Sequence, residues 1–141
     1  SSDLVCLVSL CGELFAIDLG SVREVFEVES ITPVPKMPPA FAGVANVRGM
    51  IIPLVDLRPL LGFPIEAPGP KFVVVIRHQG QQVGILVDQM PEIRTVSREE
   101  SQTSPTTGAR AARPFITSLL RIENRVSGVV EVPSLLACVN T

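Results

Sequence analysis

Two apolar runs, residues 4–10 and 13–19, stand on either side of Cys11-Gly12, and residues 72–78 and 81–88 stand on either side of Gln79-Gly80 in the same way. Apolar runs this short, broken by a two-residue turn signal, predict β-hairpins. Each hairpin is followed by a short charged strand, Val22 to Val28 and then Glu92 to Val96. In Val25-Phe26-Glu27-Val28-Glu29 apolar and acidic positions partly alternate, as in an exposed or edge strand. Residues 32–39 then place four prolines in eight positions, which rules out helix and sheet interior and predicts an extended connector. Its counterpart, residues 97–114, is polar and predicts a mobile surface loop in which Ser97 and Glu100 cap one helical turn.

Met50 to Val55 and Arg125 to Val130 predict closing strands. The first runs into Asp56, Pro59, Leu60-Leu61 and Gly62, the second into Glu131, Pro133 and Leu135-Leu136. An acid at the first free amides, a proline inside the first turn and a glycine beyond the last are start and stop signals of a short helix. The whole pattern is stated twice. Residues 4–25 return at 72–93, shifted by 68, and residues 41–62 return at 116–137, shifted by 75. The slip of 75 − 68 = 7 residues lies between residues 94 and 115. A unit of about 70 residues exceeds the solenoid periods, so the repeat predicts two similar halves, approximately residues 1–68 and 69–141. Each half predicts about five short strands and one small helix. The expected class is all-β: two small barrels that close their own edges and bury leftover aliphatic surface against each other, with exchange of strands between them left open.

At 141 residues the chain is one domain by length, and neither half alone is large enough for a stable core. Hydrophobic residues make up 46% and aromatic residues 4%, so the interior is built from Val, Ile and Leu, which suit pleated sheet. A net charge of −2 leaves no electrostatic footprint for nucleic acid, and without Trp or Tyr there are few platforms for stacking bases. The longest apolar runs are too short to span a bilayer. A soluble cytoplasmic protein is the expectation. Cys6, Cys11 and Cys138 read as small hydrophobes in a reducing compartment, and His78, the one histidine, as a solvated residue at a hairpin tip.

One histidine supports no Ser-His-Asp or Cys-His set, and no Cys/His spacing suits a metal. No glycine-rich phosphate loop follows a strand. No enzyme, cofactor or metal site is expected. A mean hydropathy of +0.40 instead predicts aliphatic surface kept for protein partners.

The stretch Gly43-Val44-Ala45-Asn46-Val47-Arg48-Gly49-Met50-Ile51-Ile52-Pro53-Leu54-Val55-Asp56-Leu57-Arg58 resembles the signature of the CheW family, coupling proteins of bacterial chemotaxis arrays. The resemblance runs upstream through Phe15-Ala16-Ile17 and Val22-Arg23-Glu24-Val25, and downstream through Val83 to Asp88 and Ile122 to Leu136. It departs where Glu131-Val132-Pro133 replaces the more usual Asp-Leu run. The resemblance implies two SH3-like five-stranded barrels and a non-catalytic cytoplasmic adaptor at membrane-bound receptor arrays. Its implied partners are the cytoplasmic hairpin tip of a chemoreceptor and the regulatory domain of the histidine kinase CheA. Receptor contact is implied for Val22, Gly43, Arg48, Gly49, Ile85 and Val87 along the groove between barrels, and kinase contact for Glu24, Val25 and Phe26 at a barrel end. The residues themselves admit plainer roles: Gly49 as a positive-φ turn residue, Val22 as core, Asn46 and Asp56 as structural groups, and Arg48 as either a partner contact or an internal brace of carbonyls. A CheW-like regulatory domain cut from CheA, or from a receiver-fused coupling protein, is the alternative identity, with Ser1-Ser2 either a cloning remnant or a truncation point.

Overall fold

The computed structural model describes every residue except 1, 39, 65–68, 98–100, 104–114, 123 and 141. The elements follow one another as β1 (Ser2–Leu10), β2 (Glu13–Asp18), a 3-10 turn (Leu19–Ser21), β3 (Val22–Glu27), β4 (Phe41–Val47), β5 (Met50–Val55) and α1 (Arg58–Leu61). The series then returns as β6 (Phe72–His78), β7 (Gln81–Val87), β8 (Glu92–Ser97), β9 (Ser101–Thr103), β10 (Ile116–Ile122), β11 (Arg125–Val130) and α2 (Val132–Val139). The repeat survives in detail. Cys11-Gly12, Arg48-Gly49 and Gln79-Gly80 each turn a hairpin with two consecutive positive φ angles, the backbone that lets two-residue turns match strand twist. The bulge between Phe41 and Gly43 recurs 75 residues later between Ile116 and Ser118.

The sheets, however, do not follow the halves. One sheet runs β8-β1-β2-β11-β10-β9 and the other β3-β6-β7-β5-β4, so each half lends its first hairpin to the sheet of the other. We call these barrel A and barrel B. In barrel B the edges are joined where Thr32 exchanges two backbone hydrogen bonds with Val44, at 2.9 and 2.8 Å. In barrel A the two edge strands, β8 and β9, follow each other in the chain, one pairing with β1 and the other with β10. The strand β9 and the inclusion of Ser97 in β8 correct the expectation of a loop and a helical cap there; Glu100 and residues 104–114 lie outside the described residues. The proline-rich connector is also less extended than expected, because Pro35-Lys36 makes a turn with Lys36 at φ 68°.

Strand periodicity sorts the apolar side chains into three cores. Val5, Leu7, Ala16, Val96 and Leu120 fill barrel A. Ala45, Ile52, Leu54, Val73, Val75 and Leu86 fill barrel B. The alternate positions, among them Cys6, Val8, Phe15, Ile17, Val74, Ile76, Ile85 and Val87, meet in the largest core, the seam between the barrels, which α1 and α2 cover with Leu61, Val132, Leu135, Leu136 and Val139. Strands such as β6 are apolar on both faces for that reason, and much of the high mean hydropathy lies inside the seam.

Candidate functional site

The motif around β4 and β5 resolves into three pieces of local chemistry. Asn46 Oδ1 accepts the Gly49 amide at 3.0 Å and holds the two-residue turn, while Gly49 supplies φ 83°. Arg48 sits at the tip of that turn with its side chain 84% exposed. The reading of Arg48 as an internal brace is therefore corrected: at the first turn position its side chain points to solvent, and its ion partner is Glu24 at 3.9 Å.

Asp56 and Arg58 build the corner between β5 and α1. Asp56 Oδ1 accepts the Arg58 amide at 3.0 Å, and its two oxygens accept from Arg58 Nε and NH2 at 3.0 and 2.8 Å. One carboxylate thus starts the helix and neutralises a side chain that is only 10% exposed. The hydrogen bonds to Asp56 raise the Arg58 pKa against the opposing effect of burial, and the negative charge of Asp88 raises it further. Asp88, at the end of β7, also accepts the Cys11 amide at 2.7 Å and donates its own amide to Ser9 at 2.9 Å, which ties barrel B to the β1–β2 turn of barrel A.

Several residues implied as contacts have no surface to offer. Ile85 and Val87 are 0% exposed, because that face of β7 is already covered by barrel A. Gly43 is buried at φ 152°, and a Cβ there would stand 2.5 Å from Thr32 O and 2.8 Å from Ile31 Cγ2. It is the point where the connector closes barrel B, not a groove lining. Glu24, Val25 and Phe26 do not form one patch: Phe26 pairs with Val73 and packs into barrel B, whereas Val25 pairs with Val74 and faces the seam.

Among the described residues the exposed large apolar ones are Leu4, Val34, Met50, Ile51, Met90, Ile93 and Val126. They form two sets of interest. Ile93 pairs with Cys6, a seam residue, so the Ile93 side chain lies on the seam face of barrel A and is 54% exposed. Met90, 59% exposed, belongs to the crossover from β7 to β8. By the shift of 68, Val22 matches Met90 and Val25 matches Ile93, so the two rims of the seam carry equivalent apolar residues. The second set, Met50 and Ile51, adjoins the Arg48-Gly49 turn and Glu24 at the free end of barrel B. Sequence reasoning missed Met90 and Ile93, although the repeat that pairs them with Val22 and Val25 was already legible. Among the described residues no group of three or more His, Cys, Asp or Glu side chains converges as a metal cage would, and no helix is long and apolar enough to cross a membrane.

Comparison with known proteins places this arrangement. The family model for the CheW-like domain matches residues 4–139. The chemotaxis protein CheW of Rhizobium meliloti is 33% identical over 122 residues, covering 86% of this chain and 79% of that protein. A probable chemotaxis protein CheW of Rhizobium etli is 31% identical over 124 residues, covering 87% and 80%. The crystal structure of the scaffolding protein TtCheW from Thermoanaerobacter tengcongensis superposes with a TM-score of 0.78 at 26% identity, over 92% of this chain and 89% of that one.

Proposed function

The chain belongs to the CheW-like domain family of chemotaxis scaffold and coupling proteins, and we propose that it is a non-catalytic adaptor joining the cytoplasmic hairpin tip of a chemoreceptor to the regulatory domain of the histidine kinase CheA. The observation that carries this reading is the matched pair of apolar rims along the seam. A receptor tip is a helical hairpin, and an amphipathic helix is bound by laying its apolar face into an apolar groove. Val22 and Val25 on one rim and Met90 and Ile93 on the other offer such walls, on barrels held rigidly by a shared core. Preorganised walls lose little side-chain entropy on binding.

The kinase surface in this reading is the free end of barrel B, where Met50 and Ile51 are 56% and 63% exposed beside the Arg48–Glu24 pair. Two surfaces at different places on one body are what an adaptor requires, since it must hold both partners at once. The protein would work in the cytoplasm at membrane-bound receptor arrays.

The test is a pair of titrations, one against a receptor cytoplasmic fragment and one against the kinase regulatory domain. Ile93→Asp should weaken receptor binding by roughly thirtyfold, the equivalent of about 2 kcal/mol for one well-packed contact, with kinase affinity unchanged. Ile51→Asp should do the reverse. If both variants are folded and bind both partners as tightly as the parent, the two surfaces are wrongly placed.

A further inference from the structure

The duplication allows the two rims of the seam to be compared residue by residue, and they end differently. On the first rim Val25 is opposite Val74 and Glu27 is opposite Phe72; shifted by 68, the same positions on the second rim are Ile93 opposite Cys6 and Thr95 opposite Leu4. Cys6 is a seam residue, so Leu4 and Thr95, two positions along their strands, lie on that same face. On the first rim Phe72 is half-buried against the seam core, and the exposed carboxylate of Glu27 ends the apolar surface. On the second rim Leu4 is 49% exposed and Thr95 brings no charge. The crossover that carries Met90 starts beside β1, where the Asp88 amide donates to the Ser9 carbonyl at 2.9 Å. Met90, Ile93 and Leu4 therefore follow one another along β1 as one exposed apolar strip.

We propose that Leu4, with Thr95 opposite it, extends the receptor-binding wall of barrel A by one helical turn and selects receptor tips that present an apolar residue there. The inference rests on the receptor reading of the seam rims and deepens it by naming what the wall selects. Diagonal neighbours across an antiparallel pair, such as Ile93 and Leu4, stand about 7–8 Å apart. Successive turns of a helix are about 5.4 Å apart, so a helix laid along the strip can set one side chain over Ile93 and that of the next turn over Leu4. Both residues stand on paired strands of one barrel, which fixes the wall before the helix arrives. A charged residue at that turn would lose its water against Leu4 and find no counter-charge on the strip, since Met90, Ile93, Thr95 and Leu4 are all uncharged. The first rim does not select in this way, because Glu27 keeps a carboxylate there for a cation to meet.

The experiment titrates the whole protein with a receptor cytoplasmic fragment, and with a set of its variants in which each residue of one tip helix in turn is changed to Glu. With the parent fragment, Leu4→Ala should weaken binding roughly fivefold, and Thr95→Glu, which gives the second rim the acid of the first, roughly tenfold. Val126→Ala, at an exposed apolar position of the β10–β11 hairpin, should leave it unchanged, and kinase affinity should not move in any of them. Leu4→Lys should bind the parent fragment weakly and regain affinity for one Glu variant, about one turn, three or four residues, from the variant that Ile93→Lys rescues. Melting curves establish that each variant is folded, and Thr95→Lys repeats the rescue from the facing strand should Leu4→Lys not fold. Rescue at Ile93 with parent-like binding by the folded Leu4 and Thr95 variants, or with a loss at Leu4 that no Glu position rescues, would overturn this inference and leave the receptor reading standing. Parent-like binding by Ile93→Lys as well would overturn both.

Discussion

Gly43→Ala separates a contact residue from a structural one. At φ 152° an alanine is strained, and its Cβ would be driven to 2.5 Å from Thr32 O. The backbone must shift by enough to break the bridge in which Thr32 and Val44 exchange hydrogen bonds of 2.9 and 2.8 Å, the closure of barrel B. Backbone strain of about 1–3 kcal/mol and two hydrogen bonds at about 1 kcal/mol each give a loss of roughly 3–5 kcal/mol. That is a large share of the ~5–15 kcal/mol by which a domain is stable, and a melting temperature lower by about 10–20 °C. Gly49→Ala is the control, because Gly49 also has a positive φ, 83°, yet nothing lies within 4 Å of its Cβ position. It should cost only about 1 kcal/mol. Urea denaturation of both variants beside the parent measures the difference. Equal small losses would refute the close approach at Thr32, and a stable Gly43→Ala that loses receptor affinity would return Gly43 to the binding surface. A Gly43→Asp variant tests partner binding poorly, because it opens barrel B before it reaches a partner.

Removing Arg58 alone should cost about 3–5 kcal/mol by leaving the Asp56 carboxylate buried and unpaired, while replacing both residues with apolar ones should cost less, as a double-mutant cycle in urea will show. Ser127 is fully buried and its Oγ has no hydrogen-bond partner among the described residues, so Ser127→Ala should stabilise by about 1 kcal/mol or be neutral, read from the same denaturation curves. Gly84→Ala should destabilise by about 1–3 kcal/mol, since its Cβ would meet Val73 Cγ1 at 2.5 Å and Leu54 Cδ2 at 2.7 Å in the closed interior of barrel B. Cys11, exposed at its turn, should react with iodoacetamide in the folded protein, whereas Cys6, whose thiol pKa burial pushes up, should react only on unfolding; mass spectrometry of the labelled chain distinguishes them.

What the sequence determined by itself was local and repetitive. Short apolar runs with turn residues at Cys11-Gly12 and Gln79-Gly80 between them leave only hairpins, because the turn backbone is set within a few residues. The same holds for Asn46 with Gly49 and for Asp56 with Arg58, where donor and acceptor are two or three residues apart. The two shifts of the repeat were legible for the same reason, and with them the order of the hairpins and closing strands, though β9 was not. Tertiary structure alone decided which hairpin joins which barrel. A strand that is apolar on both faces, such as β7, looks the same in sequence whether its second face meets a partner or the other barrel, and the exchange of hairpins settled that Ile85 and Val87 face barrel A. Gly43 was likewise ambiguous, because its neighbour Thr32 comes from the connector and reaches it only when barrel B closes. The surface left over, Met90 and Ile93 with their repeat counterparts Val22 and Val25, follows from that exchange: the shared seam buries most of each apolar strand and leaves these side chains partly or largely exposed.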